Sequence, residues 1–487
     1  MNSLVPETVT FKEIERTFFE MGCEVAKNLM SNFLQGLDKE IRETRNKAEL
    51  RHKGSRETTI KTLMGEVPVK RALYRRILDD GKVEHVFLLD EELGFDTIGN
   101  ISPNLVEKIA GHICSMPFRE VSSAVSGLTN QSISHQGVWN VVQTIGERQA
   151  DSEKILMNDF KDGYLSGDKK VPVLFEEADG VWISIQKRGE KKKSKKKNEL
   201  KTGVVYEGWI KRYPSSKEYK TIEKMAFAGF MNSEDFKCLR DSNITARYDM
   251  DTITHRILNG DGAKWIREGH DTAIDIKQLD PFHIKKCIVR NVQDKKARRY
   301  ISNELKMGHC DNALGKIEEL KYECGGEERE IKKLRTLESY IKNNANEVMM
   351  YKDRKDLAIP VPPEGIEYRT LGTMERNVAI FASRMKGGKS WSKKGADNIA
   401  KIITLKIGKG FDDKIAALVS GKVSERLGER FIEEIKNTSR TVSTRVKQTV
   451  YPLHRGELPF SACSVTNGRK AIRHMFDMKS FVDMTYR

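Results

Sequence analysis

HRILNGDGAKWIREGHDTAIDIKQLDPFHIKK, residues 255–286, holds two apolar stretches that each run toward an acidic residue. Ile257 and Leu258 read as a short strand entering Asn259-Gly260-Asp261-Gly262, and Ala263 to Glu268 as a short helix. A second short strand, Thr272 to Ile276, leads to Leu279-Asp280-Pro281-Phe282-His283. Open α/β sheets hold their chemistry at such places, where a strand ends in an acidic residue and flanking glycines admit close approach. Asn-Gly and Asp-Gly are also ordinary turn signals, so this segment alone leaves a plain turn open.

Upstream, Val171 to Gln186, Thr202 to Ile210 and Tyr219 to Phe230 read as three consecutive strands. A helical stretch from Ser233 and the strand entering Asp261 complete a β-β-β-α-β order. That is the opening order of a ribonuclease-H-like domain, a mixed sheet flanked by helices. Downstream, Lys285 to Asp353 is highly charged and helical. Leu314, Ile317 and Leu320 form one apolar stripe, Ile331, Leu334, Ile341, Ala345 and Val348 another, and Gly325-Gly326 lies between them. These spacings predict a helical insertion, ended by the prolines of 359–363. Met374 to Lys386 then predicts a helix carrying Glu375, and Ala396 to Gln448 reads as mostly helical and basic.

On the N-terminal side, apolar residues three or four apart from Phe11 to Ile41 predict a long amphipathic helix. Thr58 to Leu63, Val67 to Tyr74 and Val86 to Leu89 predict a small sheet with turns at Met64-Gly65 and Asp80-Gly81. After a linker from Gly94 to Ser102, residues Asn104 to Gln149 read as helical. Pro117 to Leu128 and Ser134 to Gly146 fit two closely joined helices with Ser115 and Ser134 as N-caps and Val121, Val125, Leu128, Ile133, Val138 and Val141 in their seam. The pair is either a helical hairpin or a helix-turn-helix offering His135, Gln136 and Asn140 to a DNA groove. The expected organisation is α/β plus helical. Residues 1–100 form the N-terminal helix and sheet, 101–150 the helix-turn-helix-like region, and 165–284 with 362–400 the ribonuclease-H-like domain. Residues 285–361 are the all-helical insertion and 401–487 a basic C-terminal region.

A chain of 487 residues exceeds one ordinary core. Its 86 Lys and Arg against 70 Asp and Glu leave a net charge of +16, which points to a polyanionic partner, most simply nucleic acid. The run from Lys187 to Lys197 carries eight basic residues and one acid, and Lys191, Lys192 and Lys193 within it are candidate phosphate contacts or a solvated hairpin tip. No apolar run is long enough for a membrane span, and no basic-then-apolar start marks a signal peptide, so a cytoplasmic protein is expected. The seven cysteines form no CxxC pair, which argues against a zinc ribbon or a secreted disulfide framework.

Three carboxylates stand in distinct elements: Asp179 in the first long strand, Asp261 at the end of a later one, and Glu375 on a helix. Brought together by a fold, they would offer the all-oxygen environment that Mg²⁺ prefers, suited to in-line displacement at phosphorus. Glu177 lies on the same strand face as Asp179 and is an alternative ligand.

EADGVWISIQ at 177–186, GDGAKWI at 260–266, LDPFHIKK at 279–286, and Glu375 with SRMKGGKSWSKKG at 383–395 together resemble the DDE transposases of bacterial insertion sequences, in the Mutator-like group and of the ISLre type. A weaker likeness extends to SISHQGVWNVV at 132–142. The resemblance implies a ribonuclease-H-like catalytic domain with a helical insertion between the second Asp and the Glu, and it assigns Asp179, Asp261 and Glu375 as catalytic metal ligands. It places Asp280 and His283 on that group's Cys/Asp-x-x-His signature, as accessory residues. Arg384 and Lys386 are then candidate contacts to DNA phosphates, and Trp391 either closes the core or stacks on a base. The implied activity is Mg²⁺-dependent cleavage at transposon ends and strand transfer into target DNA, with Mn²⁺ as a substitute. The implied partners are double-stranded terminal inverted repeats and target DNA, handled by a homodimer or higher oligomer in the nucleoid of a bacterial cytoplasm. Two rivals remain at this stage: a nuclease of the same fold that hydrolyses without joining, and a non-enzymatic DNA-binding regulator.

Overall fold

Apolar residues three or four apart wind the N-terminal segment into α1 (Phe11–Thr44). It is followed by β1 (Leu50–Thr62), β2 (Gly65–Ile77) and β3 (Val83–Val86), which form a three-stranded sheet in that order. The turn between β1 and β2 is made by Gly65 at φ 114°, a conformation that side chains with a Cβ avoid. The expected strand Val86 to Leu89 instead ends at Val86, because Leu88 and Leu89 bury themselves in the short helix α2 (Leu88–Glu92). The computed structural model describes residues 10–78, 81–93, 100–186, 196–268 and 272–419, with 428, 429, 431–433 and 436 beyond them.

Two units make up the chain, and their boundaries fall within α1, β1 and β2. Among the described residues, one takes those of 38–54 and 72–93, the other those of 10–37, 55–71 and 100–419. In the first, Ala72, Tyr74, Val86 and Leu88 share a small core with Ile41 and Leu50, and both carboxylate oxygens of Asp38 accept from the Ala72 N–H.

The second unit begins its helices with α3 (Pro103–Ile113), capped by the Ser102 hydroxyl, α4 (Phe118–Leu128) and α5 (His135–Lys161). Ser134 caps α5 as the sequence suggests, but Ser115 does not cap α4: its hydroxyl donates to the His112 carbonyl, and α4 starts after Pro117. Leu128 falls outside the seam and is 71 % exposed. Next come β4 (Val173–Ile185), β5 (Lys196–Tyr206), β6 (Trp209–Lys211), β7 (Tyr219–Thr221) and β8 (Met225–Gly229). The second and third expected strands thus give up residues to a separate two-stranded ribbon, β6 with β7, after a turn at Gly208 (φ 144°). Then follow α6 (Ser233–Thr245), β9 (His255–Gly260), α7 (Lys264–Arg267) and β10 (Asp275–Leu279). The helical insertion is α8 (Pro281–Asn291), α9 (Lys295–Lys306), α10 (Cys310–Glu323) and α11 (Glu328–Asn343), and α12 (Met374–Met385), α13 (Lys393–Ile407) and α14 (Phe411–Val419) follow it.

The central sheet is mixed, in the order β10-β9-β4-β5-β8. The β4–β9 and β9–β10 pairs are parallel, and the β4–β5 and β5–β8 pairs antiparallel. Helices flank it, so β4 is buried on both sides over its first half. Val181, Ile183 and Leu200 of the sheet share the largest core with Ile109, Val141, Ile145, Ile399 and Ile403 of α3, α5 and α13. Phe236 and Leu239 of α6 pack with Leu174, Val205 and Phe227 in another. The insertion closes its own core around Ile288, Ile301, Ile317, Leu334, Leu337 and Ile341, and Gly325 and Gly326 turn the chain between α10 and α11. Among the described residues no helix is long and apolar enough to cross a membrane.

Candidate active site

Parallel pairing sets three acidic residues in a row. Glu177 of β4 stands opposite Asn259 of β9, and Asn259 opposite Gln278 of β10. Two residues further on, where β9 and β10 have just ended, come Asp179, Asp261 and Asp280. β10 starts three residues later than the sequence suggests, because the Thr272 N–H and hydroxyl both donate to the Asp275 carboxylate and make a turn of 272–275. That shift brings Asp280 to the tip of β10, where its N–H donates to the Gly260 carbonyl at 2.8 Å and its carboxylate caps α8 by accepting from the Phe282 N–H. Asp261 accepts from the Ala263 N–H at 2.9 Å, and its carbonyl accepts from the Tyr340 hydroxyl of α11. Gly262 is required beside it. Its φ is 87°, and a Cβ there would stand 2.8 Å from Asn344 Oδ1.

His283, in the first turn of α8, places Nε2 3.8 Å from Asp179 Oδ2. Burial pushes the Asp179 carboxyl above its ordinary value. His283 and a hydrogen bond from the Gly180 N–H oppose the rise, while Asp261 and Asp280 add to it. Glu375, in the first turn of α12, is also raised, first by desolvation and then by Asp280, against the pull of His283 and Lys286. The fold therefore gathers Asp179, Asp261, Asp280, His283 and Glu375 into one electrostatically linked set. Its donors are oxygens with a single imidazole, and its charges repel one another, which is the environment a hard divalent cation relieves. Among the described residues no three acidic or histidine side chains close into a finished metal cage.

Glu177 is the residue whose role sequence reasoning missed. It is 1 % exposed and does not face the open row. Its carboxylate accepts from the N–H groups of Gly372, Thr373 and Met374, from the hydroxyls of Thr373 and Tyr206, and from Asn259 Nδ2. It thus satisfies the orphan donors that open α12, the helix bearing Glu375. Asn259 Oδ1 in turn accepts from Gln278 Nε2, and Gln278 Oε1 from the Tyr351 N–H. A buried polar ladder, Glu177–Asn259–Gln278, thereby crosses three strands directly below the acidic row. The available signal was Gly372-Thr373 ahead of a helix that lacks a side-chain cap of its own.

Residues 4–417 match the family described as "Uncharacterised protein family (UPF0236)". The chain belongs to the UPF0236 family. Similar UPF0236 proteins include the "UPF0236 protein in vanSb 3'region" of Streptococcus gallolyticus, 26 % identical over 404 residues that cover 80 % of this chain and 82 % of that protein. Another, from Caldanaerobacter subterraneus subsp. tengcongensis, is 22 % identical over 406 residues, covering 82 % of this chain and 78 % of its own length. Its name joins eleven locus designations.

Other candidate residues of this UPF0236 chain lie apart from the acidic set. Arg384 is not a surface cation, contrary to the expected phosphate contact. It is 2 % exposed, its Nε donates to the Ile113 carbonyl, and its guanidinium lies 5.0 Å from the Trp391 ring centroid and 5.5 Å from that of Phe118. Burial lowers its pKa to about 10. Trp391 closes this core, with Nε1 donating to the Met385 carbonyl. Lys386 is exposed at the C-terminal end of α12. His135, Gln136 and Asn140 are exposed on the first turns of α5, with Gln136 Nε2 donating to Asn140 Oδ1. Lys191, Lys192 and Lys193 lie outside the described residues.

Proposed function

We propose that this chain is a DNA-cutting and DNA-joining enzyme, a DDE transposase of the Mutator-like, ISLre type with a ribonuclease-H-like catalytic core. The observation that carries the proposal is the acidic row of Asp179 within β4 and Asp261 and Asp280 just past the ends of the parallel strands β9 and β10, with Glu375 presented from α12 and His283 beside Asp179. Eleven locus designations under one relative's name fit a gene carried in many copies by one genome, as mobile elements are.

Asp179, Asp261 and Glu375 would hold Mg²⁺, or Mn²⁺ in its place, which supplies Lewis-acid activation of the phosphodiester. The protein's own part is to fix the row. Asp280 locks the start of α8, and α8 in turn holds His283 against Asp179, where it steadies that carboxylate or contacts a phosphate oxygen. The reaction needs no side-chain nucleophile: water serves for cleavage and a DNA 3′-hydroxyl for joining. The substrates are the element's double-stranded terminal repeats and target DNA, and the processing of ends in pairs calls for a homodimer or higher oligomer.

Labelled DNA carrying the element's own ends, incubated with Mg²⁺ or Mn²⁺, tests this for wild type and Asp261→Asn. Cut and joined products that vanish in the variant are expected. Binding without any cut or joined product under either metal would leave a DNA-binding role as the better account, and cutting without joining would leave a nuclease.

A further inference from the structure

Between α8 and α9 the helical insertion opens a groove of about 720 Å³ that none of the chemistry above uses. Its lining is strongly asymmetric in charge. Lys285, Lys295, Arg298, Arg299 and Lys306 face it, against one carboxylate, Asp353. Arg298 is engaged, donating from Nε to the Val292 carbonyl. Lys285, Lys295, Arg299 and Lys306 are exposed and form no ion pair with a described residue. Four cations that share one groove with a single carboxylate leave it a net positive charge, an arrangement relieved by a polyanion.

One residue of the groove's lining neighbours the acidic site. Phe282, which lines it, is 44 % exposed, and its ring centroid lies 5.6 Å from that of His283, the residue facing Asp179. Lys286 Nζ stands 5.3 Å from the same Phe282 ring. An exposed ring beside a track of cations is how proteins take single-stranded nucleic acid, with bases on the aromatic face and phosphates on the basic groups. A volume in the roughly 300–1,000 Å³ range encloses a ligand of drug size, hence about two nucleotides, and excludes a duplex.

We propose that this groove binds the unpaired strand adjoining the scissile phosphate, with a base against Phe282 and phosphates on Lys285, Lys295, Arg299 and Lys306. The assignment rests on the acidic row being a phosphodiester site.

The full-length chain is titrated by fluorescence anisotropy, over a salt series, against a labelled oligo(dT) of about twelve nucleotides and a blunt duplex of the same length. For Lys295→Ala/Arg299→Ala, the single-strand Kd is expected to rise about tenfold, and the slope of log K against log salt to shrink by about 1.4, or 0.7 for each lost contact. Duplex affinity should stay within about twofold, since the groove excludes it. Phe282→Leu should weaken single-strand binding about fivefold or more with no change in slope. The charge-preserving Lys295→Arg/Arg299→Lys should bind as wild type, separating lost contacts from lost folding. Unchanged single-strand affinity and slope in the double alanine variant would overturn the assignment. So would an equal loss on duplex, which marks a general basic surface, or displacement of oligo(dT) by polyglutamate as readily as by unlabelled oligo(dT), which marks an acidic protein partner. Failure here is distinct from failure of the catalytic proposal. If Asp261-dependent cutting holds while the groove variants bind normally, only the groove falls. If nothing is cut while those variants lose single-strand binding, the chemistry falls and the groove stands as a single-strand site with no scissile phosphate beside it.

Discussion

Glu177 and Asp179 sit two residues apart on one strand face and do opposite things to stability. Glu177 is an anion with a full set of donors. Glu177→Gln keeps its shape but sets an NH₂ group against the N–H groups that open α12, and should cost about 2–4 kcal/mol in urea unfolding. Cutting activity should fall with it although no residue of the acidic row has changed. Wild-type stability and activity in this variant would refute the clamp. Asp179 is an anion among anions. Its folded carboxyl is raised above the unfolded value, so folding takes up a proton between those two values, and stability falls as pH rises through that window. In a chelating buffer, Asp179→Asn should therefore melt at a higher temperature than wild type near neutral pH, and the two should converge toward about pH 4. A variant equal to or below wild type at neutral pH would contradict the crowding of carboxylates. Divalent metal should raise the melting temperature of wild type and leave that of Asp179→Asn nearly unmoved.

Among the elements, α13 packs closely on α5. A Cβ on Gly146 of α5 would stand 2.4 Å from Asn398 Cβ, so Gly146→Ala should cost about 1–3 kcal/mol by chemical denaturation. Lys401 of α13, 2 % exposed, donates from Nζ to Glu153 of α5 and to the Ala228 carbonyl of β8. Lys401→Ala strands the Glu153 carboxylate and should cost about 3–5 kcal/mol, whereas Lys401→Ala/Glu153→Leu should recover part of the loss. Periodicity in the sequence made several elements legible: β4, α6, β9, the insertion helices and α12 all follow from apolar spacing. It misplaced those settled by polar side chains. The start of β10 depends on an Asp275 carboxylate folding back on Thr272, and α5 continues to Lys161 through a polar stretch. Arg384 reads as surface because nothing in its own neighbourhood announces Phe118 or the Ile113 carbonyl. For the site, strand ends pointed to Asp261 and Asp280 and glycines to Asp261, while the accessory roles of Asp280 and His283 came only through family likeness. Glu177 was legible as a face-mate of Asp179, but its partners come from a turn remote in sequence.

Across the whole molecule, a net charge of +16 predicts affinity for DNA of any sequence that collapses with salt. If at least six phosphates are engaged, the Kd for a non-specific duplex should rise about a thousandfold between 50 and 200 mM salt. A shallow dependence would mean that the positive charge does not act as a binding surface. The Glu177 clamp also has a bearing on how the protein is made. Its carboxylate is satisfied by Gly372, Thr373 and Met374, whose hydrogen bonds span 195 to 197 residues. On a ribosome, the strands bearing Asp179, Asp261 and Asp280 emerge first, while the anchor that seats Glu375 arrives only after the entire helical insertion. Nascent chains, and products truncated before α12, carry the row without its fourth carboxylate. The acidic site is thereby kept incomplete until the helical insertion and the start of α12 have been made.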